Sequence, residues 1–336
     1  MVTPAKPIPP EQDLARQTEK IFHAIKLSLE NNDIIRAEAL REKLLKVNPM
    51  ALSEIIKSAE LIENTKTANR DRDHFAVWDK LYSTLSEEEQ NCLFYSLKKV
   101  IVPPKKIVLS KGSFNNRLFF IDRGRVSICQ PKGKRQVVLA QLGRGDILGE
   151  YTFATIALCS ATAVTSSEVQ LMVLENSAAT GWNENPELYD KLIDYCMKNG
   201  QIDEILRRKK SDKLHATRYT VSGQVTACLL DKKGKKTETH FRGTLSELSV
   251  SGTSFGIRCS NRETARALLG RYLLLNCSFN RDETPLKTLG RIVEVSFHLY
   301  NDYTLHIQFP TKLEEKEIVK FCRRPDRKNS QHHSGN

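Results

Sequence analysis

The sequence has 336 residues, and a single hydrophobic core stops growing at roughly 250–300 residues, so we expect two or three domains. Apolar residues make up 40% and charged residues 27% of the chain, which excludes a disordered or fibrous protein. The formal net charge of +12 predicts an anionic partner, which could be a nucleotide, a nucleic acid, an acidic protein face or a membrane surface.

The chain contains no apolar run close to the ~20 residues that cross a bilayer, and its first residues lack the apolar core of a signal peptide. We therefore expect a cytoplasmic protein without a transmembrane segment. The eight cysteines show no CxxC spacing and have no histidine cluster nearby. The sequence thus predicts no disulfide framework, no metal site and no cofactor.

Residues 1–74 are predicted to be a helical segment that ends in a polar linker. Apolar side chains recur every two to four residues, as the buried stripe of a helix requires. The polar residues 31–33 separate a first helix from a second, and Asn48-Pro49 ends the second. A third helix follows, and residues 66–74 are predicted to be the linker. The pattern favours an oligomerisation or docking element.

Residues 75–206 are predicted to be a β-roll with flanking helices. Ser86 and Glu89 have the spacing of a helix capping box. From Lys105 onward, short runs of alternating apolar and polar residues end in glycines, at the 8–12-residue spacing of a roll, sandwich or barrel. A long helix over 185–210 is expected to close this region.

Within this region, 101–177 resemble the cyclic-nucleotide-binding family of catabolite activators and kinase regulatory domains. The resemblance is carried by Gly112, the strand LFFI, Gly124 and the run GDILGE that ends in Gly149-Glu150. It implies that backbone N–H groups after Gly149 hold a cyclic phosphate while Glu150 bonds the ribose 2′-hydroxyl. The family then places an arginine where this chain has Cys159, which is followed by Ser160 and Ala161.

Cys159 makes the implied nucleotide site of the roll degenerate. A neutral thiol cannot replace a charge-assisted phosphate contact of ~1.5–3 kcal/mol, so we expect binding to be roughly ten- to a hundredfold weaker or worse. Three interpretations stay open: a roll kept for folding or dimerisation, a sensor of cAMP or cGMP, and a site for another ligand. The strand-rich residues 218–310 that follow argue against specific DNA binding by a recognition helix.

Residues 207–322 resemble the PilZ family of cyclic di-GMP receptors. The motif [D/N]xSxxG is matched by Glu247, Ser249 and Gly252, with Glu where Asp or Asn is usual. The strands and a closing helix follow in family order. The resemblance implies a small antiparallel β-barrel, in which guanidinium groups pair with phosphates or guanines and a glycine permits close backbone approach.

The second part of the PilZ motif is an RxxxR arm before the first strand. Arg218 has the place of the second arginine, whereas the first place is occupied by Leu214. Arg207, Arg208 and Lys213 lie upstream. Either the arm is shifted and these residues bind the ligand, or the site is degenerate.

The sequence thus predicts an α+β multidomain protein that acts as a bacterial cyclic di-GMP receptor, and residues 323–336 are predicted to be a disordered basic tail. No catalytic motif appears, so we expect no enzyme activity. Two other functions stay open besides cAMP or cGMP sensing. One is a ligand-independent adaptor with vestigial pockets, which binds an unidentified protein through the N-terminal helices or the barrel. The other is nonspecific nucleic-acid binding. The sequence also leaves homodimerisation open.

Overall fold

A computed structural model describes residues 10–132, 135–179, 181–182, 185–202, 205, 217–279 and 284–322. It confirms an α+β multidomain chain with N-terminal helices, a β-roll and a C-terminal six-stranded β-barrel. One compact unit contains the described residues up to Lys98 together with Ser177–Leu192, and the other contains Lys99–Asn176 and the described residues from Ile193 onward. The roll and barrel share the second unit, and the expected domain boundaries stay predictions.

Three helices open the chain: α1 (Pro10–Glu30), α2 (Ile34–Val47) and α3 (Leu52–Ala68). They enclose a small core that includes the fully buried Ile25 and Leu44. The Asp33 side chain caps α2 by accepting a hydrogen bond from the Arg36 backbone. The breaks between these helices therefore fall where the polar residues 31–33 and Asn48-Pro49 predict them.

The predicted linker at 66–74 is wrong in most of its length, because α3 continues to Ala68 and α4 (Arg72–Val77) begins three residues after Asn69. Lys66 explains the longer helix. Its ammonium group donates to Glu63 and pairs with Glu38, both at 2.8 Å, and the side chain is largely buried. A polar stretch thus packs through an ion-paired lysine, which hydrophobic periodicity does not detect.

None of the described helices is long and apolar enough to cross a bilayer.

Two short helices, α5 (Asp79–Tyr82) and α6 (Glu87–Ser96), follow α4. Ser86 caps α6, because its hydroxyl accepts from the Glu89 backbone at 3.2 Å while the Glu89 carboxylate accepts from the Ser86 backbone at 2.8 Å. Both halves of the predicted capping box are therefore present.

The roll consists of two four-stranded sheets with strand orders β1-β9-β3-β6 and β2-β8-β4-β5. Apolar residues from both sheets, such as Leu118, Ile121 and Ile128, are fully buried. The eight strands of these sheets are β1 (Lys98–Val102), β2 (Ile107–Leu109), β3 (Arg117–Arg123), β4 (Val126–Lys132), β5 (Arg135–Leu142), β6 (Ile147–Leu148), β8 (Thr162–Thr165) and β9 (Val169–Glu175), whereas β7 (Ile156–Ala157) belongs to neither sheet. The short helix α7 (Glu150–Ala154) lies between β6 and β7, and α8 (Asn176–Ala179) follows β9.

The long helix expected over 185–210 is shorter than predicted, because α9 (Pro186–Asn199) ends before Gly200. A Cβ atom at position 200 would lie 2.7 Å from the Glu150 Cγ and 2.8 Å from the Cys196 carbonyl oxygen. Close packing of the chain against Glu150 therefore requires glycine at this point.

Six antiparallel strands form the barrel: β10 (Tyr219–Leu230), β11 (Lys236–Ser249), β12 (Gly252–Arg258), β13 (Tyr272–Ser278), β14 (Leu286–Phe297) and β15 (Asp302–Gln308). Their order is β13-β10-β11-β12-β15-β14, and the pairing of β13 with β14 closes the ring. Phe255 and Tyr303 are among its largest fully buried side chains. Two helices complete this region, α10 (Arg262–Ala267) and α11 (Glu315–Cys322). The strand β7 of the roll adds to the barrel sheet beside β14.

Candidate functional site

The five candidate residues of the roll, Gly149, Glu150, Cys159, Ser160 and Ala161, line one pocket. The pocket has a volume of about 340 Å³ including its open mouth, and apolar side chains from β2, β4 and β8 form its floor. Its described lining residues include no lysine, arginine or histidine. The structure thus brings these five candidate residues together in one pocket, and no cationic side chain is among its described lining.

Gly149 has a left-handed backbone conformation, with φ +81°, which glycine adopts at little cost. A Cβ atom at this position would lie 2.6 Å from the Arg117 carbonyl oxygen and 2.8 Å from the Asn115 amide nitrogen. The glycine thus lets the chain turn tightly against β3 and start α7. As a result, the Glu150 side chain is directed into the roll, where it is only 5% exposed.

Cys159 occupies the position at which the family places arginine. It is 5% exposed, its backbone N–H donates to Ser113 O at 2.9 Å, and its carbonyl oxygen accepts from the Gly112 N–H at 2.7 Å. Burial raises the pKa of its thiol above the usual value. The group is therefore neutral near pH 7 and provides no positive charge to a phosphate.

The sequence did not predict that residues after α9 close the pocket. Ile202 lines it, and the Ile202 backbone N–H donates to the Glu150 Oε1 at 3.4 Å. Burial, with Glu150 close by, raises the pKa of Cys196 to about 12, which reflects how tightly the end of α9 packs here. The signal in the sequence was Gly200 with the apolar Ile202 two residues later, which the prediction included in a continuous helix.

In the barrel, the structure brings together Arg218 and Glu247, which were predicted to belong to the two halves of one site. The Arg218 Nη1 lies 3.3 Å from the Glu247 Oε2, and the two side chains are 70% and 43% exposed. The strand register explains the proximity, because Arg218 immediately precedes Tyr219, which pairs with Leu248. This end of the barrel therefore presents an accessible guanidinium group next to a carboxylate.

Ser249 and Gly252 form the turn between β11 and β12 beside this pair. The Ser249 hydroxyl donates to the Gly252 carbonyl oxygen at 3.1 Å and accepts from the Ser251 backbone at 3.4 Å. A Cβ atom at position 252 would lie 2.2 Å from the Ile307 carbonyl oxygen. Both residues thus shape the turn, and Gly252 permits the close approach of β15.

The basic candidates upstream of the barrel, Arg207, Arg208 and Lys213, lie outside the described residues. Within the described ranges, no group of three or more His, Cys, Asp or Glu side chains is arranged to hold a metal ion. The geometry therefore offers two candidate places for an anionic ligand, the enclosed pocket of the roll and the exposed turn of the barrel.

Residues 99–180 match the profile of the family described as the cyclic nucleotide-binding domain. This segment of the chain is thus a cyclic nucleotide-binding domain, and the predicted identity of the roll is confirmed. The cAMP-dependent protein kinase regulatory subunit of Dictyostelium discoideum is 25% identical over 142 residues. That alignment covers 41% of this chain and 40% of the relative, so the chain spans less than half of the relative's length.

Two solved structures illustrate the same likeness. A cyclic nucleotide-binding domain from Methylobacillus flagellatus is 24% identical, with a TM-score of 0.37, and the match covers 43% of this chain and 84% of that one. The catabolite activator protein of Thermus thermophilus is 20% identical, with a TM-score of 0.32 and coverage of 39% and 60% respectively.

Proposed function

We propose that this chain is a nucleotide-responsive regulatory protein whose PilZ-like barrel binds cyclic di-GMP. The observation that carries the proposal is the proximity of Arg218 and Glu247 beside the turn Ser249–Gly252. Arg218 has the place of the second arginine of the PilZ arm, and Glu247, Ser249 and Gly252 have the places of the second part of the motif, with Glu instead of Asp or Asn. A receptor of this ligand implies a bacterial protein, acting in the cytoplasm. We propose no catalytic activity.

The exposed ion pair suits a binding site that must open for its ligand. A surface pair of this kind contributes only about 0–1 kcal/mol, since water screens both partners. A phosphate oxygen can therefore replace the Glu247 carboxylate at the Arg218 guanidinium at small cost and form a charge-assisted contact. The released carboxylate would then accept hydrogen bonds from a guanine N–H edge.

The stretch 207–213 would supply the remaining positive charge, through Arg207, Arg208 and Lys213. A basic segment that closes on a dianion would change the conformation at the junction of the roll and the barrel. In this proposal, cyclic di-GMP thereby repositions the cyclic nucleotide-binding domain.

A second candidate function is sensing of cAMP or cGMP by the roll. It is favoured by the family match of residues 99–180 and by the way Gly149 and Glu150 line one pocket. The name of one relative, a cAMP-dependent protein kinase regulatory subunit, points in the same direction. Because Cys159 is neutral, we expect this binding to be weak.

Isothermal titration of the full chain with cyclic di-GMP, cAMP and cGMP tests both functions. We expect saturable heat with cyclic di-GMP, and weak or absent heat with the two mononucleotides. Saturable binding of cAMP or cGMP, with none of cyclic di-GMP, would mean that the roll and not the barrel is the nucleotide sensor. The absence of heat with all three, at tens of micromolar protein, would instead favour an adaptor that binds protein partners without a ligand.

A further inference from the structure

The barrel strand β14 is completed by a strand of the roll. One edge of β14 pairs with β15, and its other edge pairs with β13 from Leu286 to Arg291. Beyond that point, Glu294 and Val295 pair with β7 of the roll, and the Leu158 N–H donates to the Val293 carbonyl oxygen at 2.8 Å. The roll strand therefore occupies barrel edge that β13 leaves open.

The strand β7 lies between the two segments that line the roll pocket. Residues 149–152 precede it and residues 159–163 follow it. Ile156 of β7 pairs with Val295 and belongs to the buried core cluster of the barrel. The middle of the pocket-lining segment is thus held by the barrel, while both of its ends face the pocket.

Two side-chain contacts reinforce this attachment. The Tyr151 hydroxyl donates to the Glu294 Oε1 at 2.6 Å. Arg291 donates through Nη2 to the Gly112 carbonyl oxygen at 3.0 Å and through Nε to the Gly270 carbonyl oxygen at 3.2 Å. Since the Gly112 N–H in turn donates to the Cys159 carbonyl oxygen, Arg291 holds the chain next to the position where the family has its phosphate-binding arginine.

We propose that the barrel positions the pocket-lining segment of the roll, with Tyr151, Glu294 and Arg291 as positioning residues. A segment anchored at its centre cannot change shape at one end without moving strand β14. Ligand binding in the pocket and the conformation of the barrel are therefore coupled, and the coupling acts equally in both directions. This inference rests on the proposed function in so far as it concerns the effect of cyclic di-GMP.

A row of polar contacts across the barrel runs from the Arg218 turn to the same attachment. The Thr253 hydroxyl donates to the Glu247 carbonyl oxygen at 2.6 Å, and the next residue, Ser254, contacts the His306 Nδ1 at 3.0 Å. On the far side, the His306 Nε2 contacts Ser296 at 3.1 Å, and Ser296 donates to the Glu294 Oε1 at 3.4 Å. Glu294 Oε1 thus accepts hydrogen bonds from Tyr151, which lines the roll pocket, and from Ser296 at the end of this row. Together with the peptide bond between Thr253 and Ser254, the row is a physical route for coupling.

Hydrogen–deuterium exchange of the full chain tests the positioning role without any ligand. Tyr151→Phe and Glu294→Ala each remove the contact between the hydroxyl and the carboxylate. We expect amides in 150–161 to exchange roughly tenfold faster in both variants, as the loss of one charge-assisted hydrogen bond implies. Arg258→Ala, which breaks an exposed ion pair with Asp302 on the same barrel, is the matched control and should leave these amides unchanged.

Unchanged exchange of 150–161 in the folded Tyr151→Phe variant would overturn the positioning role, and thermal unfolding verifies that the variant is folded. A second arm adds saturating cyclic di-GMP to the wild-type chain, and we expect slower exchange of 150–161. If calorimetry detects binding but these amides do not respond, the coupling is wrong while the proposed function stands. If no binding is detected, the proposed function fails, and the ligand-free comparison still decides the positioning role.

Discussion

The roll pocket and the barrel turn have complementary strengths as sites for an anion. The pocket is recessed and is lined by the buried Glu150, but its described lining has the neutral Cys159 where the family places an arginine. The barrel turn presents the guanidinium group of Arg218, which is 70% exposed and forms a surface ion pair with Glu247. The roll thus offers a pocket without a cation, and the barrel turn offers a cation without a pocket.

The difference shows why a recognisable fold does not determine which region binds a ligand. Enclosure strengthens every electrostatic contact, since water screens buried charges less. It also increases the cost of burying a phosphate that meets no cation. An exposed arginine attracts an anion with less strength, yet its ligand loses less hydration. We therefore expect the barrel to bind first and the roll to respond.

The largest expected effect is a gain of function in the roll. Cys159→Arg places a guanidinium group in the pocket, which should tighten cAMP binding roughly ten- to a hundredfold, as one charge-assisted contact allows. The control is Cys159→Ala, which removes the thiol without adding charge and should bind as weakly as the wild type. Equal affinities of the folded Arg and Ala variants, measured by titration, would show that charge is not what the pocket lacks.

The next largest effect is expected for a substitution at Gly252 in the barrel turn. In Gly252→Ala, the new methyl group would collide with the Ile307 carbonyl oxygen, so we expect a loss of ~1–3 kcal/mol in the free energy of unfolding and weaker cyclic di-GMP binding. Gly256→Ala is the matched control on the same strand, because a Cβ atom there would lie 3.9 Å or more from its neighbours. Similar denaturation curves for the two variants would contradict the close approach of β12 and β15.

In the N-terminal unit, the buried carboxylate of Glu89 forms an ion pair with Lys191. Burial opposes ionisation of Glu89, but hydrogen bonds from Lys191, at 2.7 Å, and from Ser86 keep its pKa below the usual value. The stability from this pair is present above the ordinary carboxyl pKa and is lost as pH falls through the lowered one. As pH falls below about 4.5, Glu89→Gln should therefore lose less stability than the wild type, measured by denaturation at several pH values.

At neutral pH we expect Glu89→Gln to cost about 1 kcal/mol, because the carboxylate accepts from Lys191 at Oε1 and from Ser86 at Oε2, whereas glutamine has one acceptor oxygen and loses one of the two hydrogen bonds. The same acid profile for wild-type protein and Glu89→Gln would refute the assignment.

The smallest expected effect concerns the residue that departs from the PilZ motif. Glu247→Asp shortens the side chain by one methylene and restores the usual residue, so cyclic di-GMP should bind roughly several-fold tighter. Glu238→Asp makes the same change on the same strand, away from the turn, and should have no effect. Weaker binding by Glu247→Asp in a titration would mean that the site is built for the longer carboxylate.

Local signals in the sequence predicted much of this organisation. The capping box of Ser86 and Glu89 and the two strand-rich regions follow from short-range patterns of turns and periodicity. The common site of Gly149, Glu150 and Cys159 was implied by the resemblance to the cyclic-nucleotide-binding family. Arg218 and Glu247 were assigned to one site by motif, and the register of β10 and β11 places them in contact.

Long-range packing could not be predicted in the same way. The strand β7 has two residues, too few for periodicity, and its pairing with β14 depends on the edge that β13 leaves free. Gly200 was interpreted as part of a helix. The need for glycine there comes from close packing against Glu150, which is distant in the sequence. The helical extension through Lys66 was missed because its burial depends on Glu38, a residue of another helix.

The most direct test of the account is calorimetric titration of cyclic di-GMP into three proteins: the wild type, Arg218→Ala and Arg258→Ala. Both arginines form exposed ion pairs, with Glu247 and Asp302 respectively, so neither substitution should change stability by more than about 1 kcal/mol. The account predicts saturable binding by the wild type and Arg258→Ala, and binding at least roughly tenfold weaker by Arg218→Ala. Equal affinity of all three proteins, or no binding by the wild type, would contradict it.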